Sequence, residues 1–309
     1  MRIATFNLQN LRLRTRDGRP VLDGAADQDQ PGILRPTDLA RADRIETAKV
    51  IARAEADIIA LQEVFDLATL DFFHDRFLRE AGAPDYPYRY CLKGNDGRGL
   101  NVAALSRRQP IHVRSHASLT GADLGLANIP AELRNHPIFR RDCLELEFQA
   151  ITLFACHFKA PYPDKERASI VREAEARAVR KIVEARFEHP ERERWIILGD
   201  FNEPARADED FQSALEPIKS GFGIDLLDRM ALGTDWTYEL PGTHLHSRPD
   251  RIFVSPKLAE EYPDVCPQIV RTGMRASRHD FEEVRATISE SAPTASDHAL
   301  VYADFPGLN

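Results

Sequence analysis

The chain has 309 residues, 43% hydrophobic and 29% charged, and 41 Lys and Arg against 49 Asp and Glu leave a net charge of −8. That is the mix of a globular protein with an ample core. It excludes a transmembrane helix, because no run of about 18 apolar residues exists, and it excludes a basic surface of the kind that coats nucleic acid.

In chain order, short apolar strand patterns alternate with helical ones. Residues 3–8 are apolar and β-prone, with no leader-type apolar segment ahead of them. Residues 12–37 are rich in Arg, Asp, Gly and Pro and predict an irregular surface excursion. Helical spacing of Ile45, Ala48, Ile51 and Ala52 predicts a helix over 39–56, followed by a buried strand over 57–61. A second helix is expected over 72–81, then strands over 86–92, 101–106 and 111–118, and a second irregular stretch over 120–137. Residues 143–148 and 150–157 alternate well and read as a tight antiparallel pair. The longest helix is expected over 165–187, with Ile170, Val171, Ala174, Ala178, Ile182 and Val183 turned to a core. Strands over 195–198, 236–240, 251–254 and 299–305 complete the series. With no repeat and no break in composition, residues 1–309 read as one α/β domain built around sheet.

Four cysteines (Cys91, Cys143, Cys156 and Cys266) are far apart and form neither a zinc knuckle nor a disulfide framework. Cys143 and Cys156 fall in strand patterns and read as buried thiols, which fits a reducing, cytoplasmic setting.

The informative polar residues stand at strand ends. Asn7 follows the first strand, Glu63 the second and His157 the 150–157 run; Asp200 and Asn202 follow 195–198, Asp250 opens 251–254, and Asp297-His298 precede the last strand. Each has an ordinary reading alone. Glu63 suits a solvated loop, Gly199-Asp200-Phe201-Asn202 a turn, Ser296-Asp297-His298 a helix cap, and His157 a satisfied core position. Six strand mouths carrying acids and amides together point elsewhere. Glu63, Asp200, Asp250 and Asp297 are hard oxygen donors with no thiolate beside them, chemistry that selects Mg²⁺ or Mn²⁺ over zinc or copper. His157 and His298 add proton shuttles, and Asn7 and Asn202 add neutral anchors. That is equipment for metal-assisted attack of water on a phosphate ester. An acidic chain can do this because the ion supplies positive charge locally.

The motifs Phe6-Asn7-Leu8-Gln9-Asn10, Ala60-Leu61-Gln62-Glu63-Val64, Gly199-Asp200-Phe201-Asn202 and Ser296-Asp297-His298 resemble, in order and spacing, the endonuclease/exonuclease/phosphatase superfamily. The resemblance covers residues 3–305. It implies a four-layer α-β-β-α sandwich of two mixed sheets and a divalent-metal phosphoesterase site at one edge. It implies Glu63 as principal metal ligand, with Asn7 and Asp297 nearby, and Asp200 as the group that orients and deprotonates water. Asn202 would hold phosphate or water, His298 oriented by Asp250 would bind a non-bridging oxygen, and His157 would serve the leaving group. Arg98 in Gly97-Arg98-Gly99-Leu100-Asn101 matches a loop of such proteins, which places Arg98 and Asn101 as candidate substrate contacts.

Two departures narrow the branch. The acid that abasic-site endonucleases carry two positions after the first Asn is here Gln9, and their Tyr-Val-Pro-Asn type segment is here Cys156-His157-Phe158-Lys159-Ala160-Pro161. The chain is thus closer to the His-bearing branch of pancreatic deoxyribonuclease, sphingomyelinases, inositol polyphosphate phosphatases and deadenylases. The leading expectation is a metal-dependent phosphodiester hydrolase, foremost an endo- or exonuclease on DNA, RNA or nucleotides. The rivals are a phosphomonoesterase or a lipid or inositol phosphate hydrolase, and, at a distance, a binding module that has lost catalysis. Nothing marks an obligate protein partner. His244 and His246 read as cleft or loop residues, and Trp236 with Tyr238 as core packing.

Overall fold

The computed structural model describes residues 1–25, 34–204, 212–240, 243, 245–274 and 292–308. His244 lies outside them. The chain forms β1 (Arg2–Leu11), β2 (Leu13–Arg16), β3 (Arg19–Leu22), α1 (Thr37–Ala54), β4 (Ile58–Val64) and α2 (Leu67–Phe73), then β5 (Tyr88–Cys91), β6 (Asn101–Ser106), β7 (His112–Ser115) and α3 (Ala131–Arg134). It continues through β8 (Cys143–Glu147), β9 (Thr152–His157), α4 (Lys165–Arg186), β10 (Trp195–Asp200), α5 (Glu216–Lys219), β11 (Ile224–Asp225) and β12 (Tyr238–Glu239). The last elements are β13 (His246–Ser247), β14 (Asp250–Val254), α6 (Pro256–Glu261), β15 (Gln268–Val270) and β16 (Leu300–Asp304).

Two six-stranded sheets result, ordered β15-β16-β1-β4-β6-β5 and β11-β14-β10-β9-β8-β7. Each has one parallel pair at its centre, β1 with β4 and β9 with β10, and antiparallel neighbours on both sides. A parallel pair needs a crossover connection, supplied by α1 in the first sheet and α4 in the second.

Strand alternation sets the layers. Ile3, Ile58, Ala60, Leu153, Ala155, Ile196, Leu198, Ile252 and Val254 pack between the sheets. Ala4, Phe6, Ile59 and Leu61 point the other way, against α1 and α2. Phe154, Cys156, Ile197 and Phe253 pack under α4. The architecture is the four-layer α/β sandwich expected. Continuing the period of two along each strand puts Asn7, His157, Asp200 and Asp250 on the inner face at one rim.

Several expectations are corrected. The 12–37 stretch contains the β2–β3 hairpin, whose Arg14 and Arg16 pair with the buried Asp23 rather than alternating apolar groups. The helix expected from residue 72 begins at Leu67, where the Asp66 carboxylate caps it by accepting Thr69 N–H at 2.7 Å, and it ends in a π-helical turn over His74–Leu78. Ile170 is 51% exposed and lies off the buried stripe of α4. Trp236 and Tyr238 are only half-buried. Cys143 and Cys156 are buried thiols facing each other across β8 and β9.

Candidate active site

The rim is shaped by departures from regular strand. Asn7 pairs with Gln62 and Leu11 with Val64, so three residues of β1 face only Glu63 of β4. The surplus is taken up by left-handed backbone at Gln9 (φ 46°), Asn10 (φ 56°) and Glu63 (φ 65°), and Asn202 beyond β10 is also left-handed (φ 52°). Such conformations disfavour residues with a Cβ and gather at functional sites. On β10, Gly199 (φ 142°) runs so close to β9 that a Cβ would lie 2.0 Å from the Cys156 carbonyl oxygen, so only glycine lets Asp200 reach its place.

Asp200 is the hub. Its Oδ2 accepts Asn7 Nδ2 at 3.0 Å and Asn202 Nδ2 at 3.3 Å, and it lies 3.5 Å from His157 Nε2 and 3.9 Å from His298 Nε2. Its Oδ1 accepts the Asn202 backbone N–H at 2.8 Å. His298 Nδ1 shares a hydrogen bond of 2.8 Å with Asp250 Oδ2, which also accepts the Thr237 hydroxyl at 2.6 Å. Ser296 donates to Asn7 O at 2.7 Å, which ties the loop before β16 to β1. Asp297 N–H donates to Gln9 Oε1 at 3.1 Å.

Glu63 stands beside this hub. Its Oε1 accepts Asn7 Nδ2 at 3.3 Å and its Oε2 accepts Asn10 N–H at 2.9 Å. Asn7 therefore bridges the Glu63 and Asp200 carboxylates. Its orientation is fixed because Gln9 N–H, a donor only, binds Asn7 Oδ1 at 2.9 Å. The face Asn7 turns to the acids is its amide nitrogen, a hydrogen-bond donor and not a ligand atom.

Electrostatics divide the groups. Burial and the nearby Asp297 charge push the Glu63 carboxyl up, against the Asn10 N–H bond. Burial also raises Asp200, opposed by His298 and helped by Asp250. For His298 burial works against the charge, but Asp250 and Asp200 outweigh it and hold the imidazole well above its ordinary value. His157 goes the other way, lowered by burial and then by the Arg141 and His298 cations. The two histidines are pushed in opposite directions, His298 toward its charged form and His157 toward its neutral one, and such a separation of acid from base marks sites of proton transfer.

Two groupings suit a divalent cation. Glu63 and Asp297 offer hard oxygens whose mutual repulsion a cation would relieve. Asp200, Asp250 and His298 also lie with ligand atoms within 4.8 Å of one another. In the second set Asp250 Oδ2 and His298 Nδ1 are already bonded to each other, so the first fits a metal better.

Arg98 and Asn101 are placed differently from the hub. Arg98 pairs with Asp96 at 3.3 Å and its cation acts on His157, so it stands at the rim. Asn101 spends both amide hydrogens on Phe65 O (2.7 Å) and Gly99 O (3.2 Å) and accepts Gly94 N–H at 2.8 Å. It therefore holds the loop that carries Arg98. Two neighbours escaped the sequence reading, Thr237 on Asp250 and Arg141, a buried cation bonded to Phe158 O at 2.9 Å; two others it named without a site role, Tyr238 with its ring 5.0 Å from that of His298 and Ser296 as a tether. Arg141 sits in a loop, and Thr237, within the strand expected over 236–240, lies just ahead of β12.

The comparisons with known proteins agree with this fold. Among solved structures, an AP endonuclease from Archaeoglobus fulgidus aligns over 99% of both chains with a TM-score of 0.60 at 14% identity. A 3'-5' exonuclease from Neisseria meningitidis aligns over 99% of both at 0.56 and 18%. An endonuclease/exonuclease/phosphatase family protein from Leptotrichia buccalis does so at 0.56 and 16%. At these identities the likeness is one of fold. No curated protein matches the chain. The sequence profile described as the Endonuclease/Exonuclease/phosphatase family matches residues 4–298, which include every residue of the hub, and the chain belongs to that family.

Proposed function

We propose that this protein is a phosphodiester hydrolase dependent on Mg²⁺ or Mn²⁺, foremost a nuclease acting on DNA or RNA. The observation that carries the reading is the convergence of Asn7, Asn202, His157 and His298 on one oxygen of a buried carboxylate, Asp200. A lone buried acid would be neutralised by burial. Here the donors and the His298 imidazole oppose the burial that raises the Asp200 carboxyl, and so favour its ionised form as a base.

Glu63 and Asp297 would hold the cation, which when bound would polarise the phosphate and offset its charge. Asp200 takes the proton of the attacking water. His298, oriented by Asp250 and charged, donates to a non-bridging phosphoryl oxygen as negative charge develops. Asn7 spaces the two carboxylates and Asn202 fixes Asp200. His157, neutral in the resting site, stands by the leaving oxygen, and Arg98 meets phosphate at the rim. We read residues 1–309 as one catalytic domain. Four free thiols fit a reducing compartment such as the cytoplasm, and among the described residues no helix is long and apolar enough to cross a membrane.

The test is incubation with supercoiled plasmid, single-stranded DNA and RNA in Mg²⁺ or Mn²⁺, with EDTA as blank and inositol phosphates, phospholipids and p-nitrophenyl phosphate alongside. Metal-dependent cleavage of a polymer is expected. Turnover of the small esters with every polymer intact would reject the nuclease reading in favour of a phosphomonoesterase or lipid phosphohydrolase.

A further inference from the structure

Outside the hub, the two crossover helices carry buried ionic side chains that the proposed chemistry does not use. Arg44 of α1 is fully buried and donates to Leu8 O at 2.6 Å, Gln9 O at 2.8 Å, Asn10 O at 3.2 Å and Asp23 O at 2.6 Å. Three of those carbonyls belong to the bulge of β1. That bulge aims Asn10 N–H at Glu63 and presents Gln9 to Asp297.

The second sheet repeats the device with opposite charge. Glu175 of α4 is fully buried; its Oε1 accepts Arg140 N–H and its Oε2 accepts Lys159 N–H, both at 2.8 Å. One turn earlier, Arg172 donates to Lys159 O at 3.2 Å, so both polar ends of that residue are gripped by one helix. Lys159 is two residues from His157. The residue between them, Phe158, is held by its carbonyl, which accepts Arg141 Nη1 at 2.9 Å and Asn202 Nδ2 at 3.1 Å. Buried ions are costly to keep unless every partner is in place. A buried charged group that bonds the backbone of a site-bearing segment at several points fixes where that segment stands.

We propose that the crossover helices position the two halves of the site separately: Arg44 sets the β1 bulge that aims Glu63, and Glu175 with Arg172 sets the segment that carries His157. Both are positioning residues and neither touches the reacting atoms. The inference rests on the proposed hydrolase reading for its consequences, but its geometry can be tested without activity.

The experiment compares Arg44→Met, Arg44→Lys, Glu175→Ala and Glu175→Gln with Val179→Ala, a buried α4 change that loosens the core without touching either clamp. Native-state amide exchange reads the loops directly. Arg44→Met should speed exchange at Gln9 and Asn10 by about 10-fold, roughly the worth of one net hydrogen bond, and leave Arg140 and Lys159 alone. Glu175→Ala should do the reverse and shift the His157 ring resonances; Arg44→Lys should restore part of the lost protection, and Glu175→Gln, with one oxygen to accept, that of one of the two N–H groups. In assays, Arg44→Met should raise the Mn²⁺ concentration needed for half-maximal rate, while Glu175→Ala lowers kcat with KM unchanged. Equal loosening of both loops by either variant, or Val179→Ala matching Glu175→Ala, would overturn the proposal. Wild-type protein inactive on every ester would overturn the functional reading alone, since the exchange pattern still decides the positioning claim.

Discussion

The parallel pairs β1–β4 and β9–β10 are built alike, each a strand, a crossover helix and a second strand at the centre of its sheet, yet they reach the rim by different means. The β9–β10 pair stays in register to its end, Gly199 opposite Cys156 and Asp200 opposite His157. The β1–β4 pair breaks register after Asn7 and turns three residues left-handed to aim Glu63. The regular pair sets His157 and Asp200 opposite each other, 3.5 Å apart. The irregular pair brings the Glu63 carboxylate against the Asn7 amide and the Asn10 N–H. Ligand ends of parallel strands are common binding positions; here the difference in backbone regularity separates two kinds of work.

The largest expected effect tests the proton-exchanging half. His298→Ala removes the charged imidazole and should lower kcat about 10²–10⁴-fold with little change in the Mn²⁺ requirement; a rate within 10-fold of wild type would deny His298 its role. Gly199→Ala tests the close approach of β9 and β10. Its methyl would meet the Cys156 carbonyl at 2.0 Å, and thermal unfolding should show a loss of at least about 3 kcal/mol; unchanged stability would mean that the strands part freely.

The pH dependence of folding tests the α4 clamp. Burial pushes the Glu175 carboxyl up to about 7 from 4.5, despite two accepted backbone N–H bonds and the Arg140 and Arg141 cations. A carboxyl raised in the folded state favours the neutral form there. Its contribution is fully present below pH 4.5 and is lost as the pH rises through 7, a decline of about 3 kcal/mol. Glu175→Gln should flatten that part of the stability profile, and an unchanged slope would place the titration elsewhere. Glu63→Gln sharpens the other half. The metal requirement should rise by at least the roughly 10–100-fold typical of losing a partner that merely orients a ligand; an unchanged requirement would move the cation away from Glu63.

What the sequence disclosed follows the same division. Along β9, β10 and β14 a period of two carries the eye from Leu153 to His157, from Ile196 to Asp200 and from Val254 back to Asp250, so the proton-exchanging half was legible down to single residues. Glu63 was found as a strand-end acid, but the bulge that turns it was hidden, because nothing in Gln9-Asn10 announces left-handed backbone beyond the tolerance of Asn for it. Asn101 is a candidate substrate contact through the resemblance of its loop, a motif that does not show that its amide is spent on Phe65 O, Gly99 O and Gly94 N–H. Arg44 and Glu175 are not among the apolar positions that mark either helix, so the helical pattern does not single them out. Only the fold shows that each helix turns one ionic residue inward to a loop far away in sequence. The start of α2 is missed by five residues: the expectation begins at residue 72, whereas Asp66 caps the helix at Leu67.

The most direct measurement is Mn²⁺ binding by calorimetry beside plasmid cleavage for wild type and Asp200→Ala. The account predicts that Asp200→Ala binds Mn²⁺ about as well as wild type and cleaves about 10²–10⁴-fold more slowly. Loss of the ion together with cleavage would make Asp200 a ligand and place the cation among Asp200, Asp250 and His298, contradicting the division between the two halves.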